Sequence, residues 1–201
     1  MAKERLKSPR ARLFVALDLP DGVREGIVAW GREALSDPAL RPVAPESLHV
    51  TLAFLGYRPE KEIEAVAAAV GESAAPAPWV ELRDPEKRPP RGRPRLFALP
   101  AISPVTVALL AGLEQRLEEK GFYKPEKRPF WPHVTVARVR PEARGSRRPA
   151  VVSEPPGPIP GELQEPRMSV RMTLYRSVLQ PSVRDTCLWP KSSCPEGAAV
   201  R

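Results

Sequence analysis

The only two histidines in the 201-residue sequence open the same short pattern, His49-Val50-Thr51-Leu52-Ala53 and His133-Val134-Thr135-Val136-Ala137. Polar and aliphatic residues alternate, which predicts a strand in each case with His and Thr on one face. Positions i and i+2 of a strand lie roughly 6.5 to 7 Å apart, so an imidazole and a hydroxyl of one strand can reach the same phosphate-sized group. Imidazole titrates near pH 6.5. One copy can therefore wait unprotonated to take a proton from water while the other gives one to a leaving oxygen. Phosphodiester cleavage needs both transfers, and the hydroxyls of Thr51 and Thr135 would donate to the non-bridging oxygens as these gain charge. Zinc is the competing chemistry. It wants three or four ligands, and neither pattern holds a Cys, Asp, Glu or second His. A metal-independent site is expected, and no cofactor is inferred. Arg138 follows His133 by an odd offset that perfect alternation would turn to the opposite face. A bulge, or an arginine curling over the strand edge, would be needed to bring it in.

The elements that position these residues are themselves repeated. Arg12-Leu13-Phe14 precedes His49 and Arg95-Leu96-Phe97 precedes His133, with offsets of 83 and 84 between the copies. A helix-like segment lies inside each pair, so the unit reads strand, helix, strand with the His strand last. Histidines at the same place in two copies are a poor coincidence, and a pseudo-twofold protein with a cleft on its axis is expected. The first strand is placed at residues 13–19. Asp21 is expected to cap a helix carrying Val23, Ile27, Trp30 and Ala34 on one face. Pro59 is expected to begin the next helix, Ile63, Val66, Ala67 and Val70 to form its buried stripe, and Gly71 to stop it. A short strand is expected at 79–82. In the second unit, Leu96 opens a strand, Ser103 caps a helix begun by Pro104, and Leu110, Leu113 and Leu117 line its inner face. Residues 141–166 lose periodicity and read as a long loop with one short strand near 150–152. Strands are expected within 168–179 and at 186–189. The repeat units are taken as about 12–56 and 95–140, two lobes of a single domain at 11–190, with flexible tails at 1–10 and 191–201.

Composition narrows the partner. A net charge of +8 and a pI near 9.9 favour a polyanion. The longest apolar run, 65–70, is far short of the roughly 20 residues that a spanning helix needs. A basic start before residues 13–19 superficially resembles a signal peptide. Asp18 interrupts it and no cleavage pattern follows, so a cytoplasmic protein is expected. Cys187 and Cys194 match no zinc or redox spacing. Residues 87–95 hold five cations, with Pro or Gly at the other four positions. This run reads either as a solvated loop or as a lip of the cleft that meets phosphates. Arg91, Arg93 and Arg95 in it, with Lys127 and Arg128 in the connector before His133, are the candidates for contact with a nucleic-acid backbone. Nothing signals an obligate protein partner.

The two His-x-Thr patterns resemble the twin signature of the two-histidine phosphoesterase superfamily. The segments Arg12-Leu13-Phe14-Val15-Ala16-Leu17, residues 48–56, Arg128-Pro129-Phe130-x-Pro132-His133 and Leu174-Tyr175-Arg176-Ser177-Val178-Leu179 are similar to one branch, the bacterial RNA 2',3'-cyclic phosphodiesterases or 2'-5' RNA ligases. The resemblance implies an α+β bilobal fold, two antiparallel sheets around a central cleft with helices outside. It implies hydrolysis of an RNA 2',3'-cyclic phosphate end to a 2'-phosphate without metal, with reversible 2'-5' ligation as a further activity. Carried over, His49 is the general acid and His133 the general base, Arg138 lies by the phosphate, and Phe14, Phe54 or Phe97 packs on the terminal base. A binding module without turnover and a phosphodiesterase of small cyclic nucleotides are the alternatives.

Overall fold

The computed structural model describes residues 9–73, 78–169 and 171–177, with the backbone of 198–200. Strand 186–189, Cys187, Cys194, the turn at 74–77 and the strand beyond 177 lie outside the described residues. The first half runs β1 (Arg10–Asp18), α1 (Asp21–Ala34), β2 (Leu40–Pro42), β3 (His49–Pro59) and α2 (Ile63–Glu72). The second continues through β4 (Trp79–Leu82), β5 (Glu86–Arg88), β6 (Leu96–Ile102), α3 (Pro104–Glu119) and β7 (His133–Val139). Then follow α4 (Gly161–Gln164), β8 (Arg167–Met168), β9 (Met172–Ser177) and β10 (Ala198–Val200). The expected unit recurs as β1-α1-β3 and β6-α3-β7.

The fold is α+β. Its strands form one path in the order β10-β9-β1-β3-β7-β6-β4-β8, with β2 beside β7 and β5 beside β6. The two sheets of the expectation are thus two halves that join where β3 meets β7, at the single register pair Val50–Val134. All pairings are antiparallel except β10 on β9, which places 198–200, expected in the tail, on the sheet edge.

Period-two alternation fixes one sheet face as core. In β1 the residues Ala11, Leu13 and Val15 are buried while Arg10, Arg12 and Phe14 face the other way. Val50, Leu52, Leu99, Val134 and Val136 join that core face, and helical Ile27, Val66, Val70, Leu113 and Leu117 cover it.

Local signals hold in part. Ser103 Oγ accepts the Thr106 N–H at 3.3 Å and Pro104 opens α3, as expected. Asp21 does not cap α1. Pro20 holds that position, and Asp21 sits in the first turn, where it favours the helix dipole and pairs with Arg24. Pro59 ends β3, a 3₁₀ turn at Glu60–Glu62 intervenes, and Gly71 lies inside α2. The strand expected near 150–152 reduces to an isolated bridge between Pro141 and Pro149. That segment is strapped down by side chains. Asp37 accepts N–H bonds from Ser153 and Glu154 at 2.7 and 2.9 Å, and Asp84 accepts from Ile159 at 3.0 Å.

Candidate active site

The Val50–Val134 pair places the two His-Thr patterns side by side. Extending that register by one residue sets His49 across from Thr135 and Thr51 across from His133. The two imidazoles then lie on the diagonal, where antiparallel neighbours are roughly 7–8 Å apart, with room for a phosphate between. All four side chains are partly exposed, on the face opposite the fully buried Val50 and Val134.

Arg138 reaches this face by a bulge. On β6 and β7, Phe97 pairs with Ala137 and the next residue, Ala98, pairs with Thr135, so Val136 is the extra residue. Alternation slips by one there, Val136 and Ala137 are both buried, and Arg138 turns out on the His-Thr side. The first half does the same. Val15 pairs with Ala53 and Ala16 with Thr51, so Leu52 is extra and Phe54 emerges on the His49 side, 54% exposed. Phe54 and Arg138 therefore occupy equivalent positions of the two copies.

The two histidines live in different surroundings. His49 is stacked among Phe14 at 5.1 Å and Tyr175 at 5.3 Å between ring centres, and its Nδ1 is buried without a hydrogen-bond partner among the described residues. Asp18, its register partner on β1, is a buried carboxylate that accepts from Arg171 Nε at 3.1 Å, Thr173 Oγ1 at 2.9 Å and the Tyr175 hydroxyl. Burial pulls the His49 pKa down to about 4; the Asp18 charge opposes this and His133 adds to it.

His133 is held by its neighbours. Its ring stacks on Trp131 at 4.1 Å, and its Nδ1 lies 2.7 Å from the Trp131 carbonyl oxygen. A carbonyl only accepts, so Nδ1 carries the proton and Nε2 of the neutral ring is left as an acceptor. The Arg88 guanidinium covers the other end of this stack, 3.6 Å from the Trp131 ring centre. Burial lowers the His133 pKa first; the Trp131 carbonyl opposes this, and Arg88 and Arg138 lower it further.

The other expected residues divide. Phe14 is half-buried in the His49 stack and Phe54 is open. Phe97 is a correction: at 4% exposure it is a core residue, because its pairing with Ala137 turns it to the buried face, and it cannot meet a base. Arg91, Arg95, Lys127 and Arg128 are exposed. Arg128 pairs with Glu126 at 3.3 Å, whereas Arg93 is tied to Glu142 at 2.8 Å and to the Pro149 carbonyl, which makes it a strap for the 141–149 loop. The 87–95 run is no plain loop, since Glu86–Arg88 forms β5 against β6. Among the described residues no group of three or more His, Cys, Asp or Glu converges. No helix of these residues is long and apolar enough to cross a membrane.

Asp18, Tyr175, Trp131 and Arg88 were not picked out by sequence reasoning. Two signals were available: Asp18 is a lone acid in an apolar strand, and Trp131 stands two residues before His133.

Comparison with known proteins identifies the family. The family profile described as "LigT like Phosphoesterase" matches residues 17–83. The RNA 2',3'-cyclic phosphodiesterase of Thermus thermophilus is 34% identical over 178 residues, 85% of this chain and 83% of that protein. This chain belongs to the LigT-like phosphoesterases. The Escherichia coli RNA 2',3'-cyclic phosphodiesterase is 31% identical over 158 residues, 73% of this chain and 78% of that family member. The crystal structure of E. coli LigT complexed with 3'-AMP superposes with a TM-score of 0.68 at 28% identity, covering 89% of this chain and 95% of that LigT chain.

Proposed function

We propose that this chain is a metal-independent RNA 2',3'-cyclic phosphodiesterase of the cytoplasm that opens the cyclic phosphate to a 2'-phosphate. The observation that carries the reading is the two His-Thr pairs presented on one sheet face at the β3–β7 seam. Membership of a family whose relatives are named for this reaction supports it.

In the proposed step a water oxygen attacks phosphorus while the bond from phosphorus to O3' breaks. His133 is the base. Its Nδ1 is engaged by the Trp131 carbonyl, and two guanidinium groups disfavour its cation, so Nε2 is ready to take the water proton. His49 is the acid that protonates the departing O3'. Burial keeps it neutral at pH 7 until substrate binds, and the arriving anionic phosphate favours its proton, with the Asp18 charge acting in the same sense. Thr51, Thr135 and Arg138 donate to the non-bridging oxygens. With a 5'-hydroxyl in place of water as the nucleophile, the same pair supports 2'-5' ligation as O3' departs, and the reverse step returns the cyclic phosphate and the 5'-hydroxyl.

The test is hydrolysis of a short RNA ending in a 2',3'-cyclic phosphate, with chelator present, across pH 5 to 9. A bell-shaped rate and a 2'-phosphate product are expected, with His49→Ala and His133→Ala each slowing turnover by about 10² to 10⁴. In kcat the descending alkaline limb reports the acid, because bound phosphate raises the His49 pKa in the substrate complex. Tight binding with no turnover would make the protein a binding module. A 3'-phosphate product would reverse the direction of opening.

A further inference from the structure

The cleft face of β3 does not end at the proposed catalytic residues. A second bulge follows the first: Phe14 pairs with Phe54 and Leu13 with Gly56, so Leu55 is the extra residue. Gly56 takes φ of +69°, a conformation that side chains rarely adopt, and Leu55 goes into the core. Unbulged alternation would turn Phe54 and Tyr57 to opposite faces. The slip returns Tyr57 to the cleft face, where it pairs with Arg12 of β1. One face of β3 therefore carries His49, Thr51, Phe54 and Tyr57 in a row.

Phe54 and Tyr57 are 54% and 55% exposed, unusual for large rings on a sheet. Cations stand beside them. Arg12 shares the face with Phe14 and makes no ion pair among the described residues, and Arg10 Nη2 donates to the Tyr57 carbonyl at 2.7 Å. Between Phe54 and Tyr57 the strand advances two net residues, roughly 6.5 to 7 Å. That exceeds the roughly 3.4 Å rise of stacked bases, so each ring can take its own base from a splayed single strand.

We infer that Tyr57 and Arg12 form a subsite for the nucleotide preceding the cyclic end, Tyr57 under its base and Arg12 at the phosphate that links it to the terminal nucleotide. The inference rests on the cyclic-phosphodiesterase reading and names its substrate as single-stranded RNA rather than a free nucleotide. Aromatic platforms flanked by arginines are sequence-tolerant, because every base has a face to stack and every linkage a charge.

The experiment compares adenosine 2',3'-cyclic phosphate with the dinucleotide ApA bearing a 2',3'-cyclic phosphate. Wild-type kcat/KM should favour the dinucleotide by about 5- to 20-fold, the worth of one exposed stack. Tyr57→Ala should bring that ratio close to one, while Tyr57→Phe keeps it. Arg12→Gln should lower the ratio and flatten the dinucleotide's log-log salt slope by about 0.7, the release expected for one single-strand phosphate contact. A wild-type ratio of one, or equal loss on both substrates in Tyr57→Ala, would overturn the subsite and leave the reaction intact. Should neither substrate turn over, the reaction is the part that fails. Titration with the 2'-phosphorylated dinucleotide then decides the subsite: Tyr57-dependent affinity upholds it, and Tyr57-independent affinity removes it.

Discussion

In the proposed reaction Arg88 acts on the base His133 through Trp131, as a positioning residue. Its guanidinium lies on the indole, its Nη2 also meets Glu86 at 3.0 Å, and its charge is one cause of the lowered His133 pKa. Replacing it with Gln removes that cause, so the His133 pKa rises and the base is protonated up to higher pH. The acid limb of kcat should move upward in Arg88→Gln, with most of the rate regained at alkaline pH. Trp131→Leu should in addition lower the plateau, since the ring support is gone. An unmoved limb in both variants, followed alongside the His133 proton signals, would remove Arg88 and Trp131 from the base. His49 gives a separate reading through stability. Its folded pKa of about 4 lies below the roughly 6.5 of an unfolded chain. Above pH 6.5 the ring is neutral in both states; as pH falls toward 4 only the unfolded chain takes the proton. Stability should fall over that window by at most about 1.4 kcal/mol per pH unit. His133, also lowered, contributes in the same direction. The lowered carboxyls of Asp37 and Glu72 lose their contribution only at lower pH. Urea midpoints between pH 6.5 and 5 should therefore slope less in His49→Gln than in wild type, and equal slopes would contradict a lowered His49 pKa.

At the scale of elements the bulges decide what the site contains. Gly56 tests the second one cleanly. An added Cβ would meet no atom within 4 Å, so Gly56→Ala is left with backbone strain alone. The cost should be about 1–2 kcal/mol by urea denaturation, partly recovered in Gly56→Asn. A neutral Gly56→Ala would mean that the strand relaxes into another register. These bulges also mark the boundary of what the sequence revealed. Alternation was enough to put His49 with Thr51 and His133 with Thr135 on one face, and the helix stripes around Val66 and Leu113 were readable from spacing. The odd offset of Arg138 exposed a contradiction without resolving it. Nothing in Leu52-Ala53 or Val136-Ala137 states locally that one residue is extra, because a bulge is a property of two paired strands. Phe97 was misread for the related reason that its repeat partner, Phe14, faces the cleft. The role of Arg88 is not legible within the basic run, since its partner Trp131 is 43 residues away and it takes both the β5–β6 and the β6–β7 pairings to join them.

For the whole molecule the repeat was legible and the seam was not. Similar halves implied a cleft on an axis, whereas the way the halves meet, through one register pair, depends on strand order. In the proposed reaction the acid and the base come from different halves, which makes their relative placement a property of that seam, and a displacement of about 1 Å can cost 10²-fold in rate. Val134 and Val66 separate this effect from stability. Both are fully buried valines of the same core, but Val134 is the seam residue between His133 and Thr135, while Val66 lies on α2. Truncating either to Ala removes two carbons and leaves a cavity, a loss of about 2 kcal/mol in each variant. At a temperature where both remain folded, Val134→Ala should lower kcat by about tenfold or more while Val66→Ala turns over like wild type. Equal stability loss with equal kcat would mean that each half holds its histidine independently of the join. Unequal kcat at equal stability would assign the alignment of acid and base to the β3–β7 contact itself.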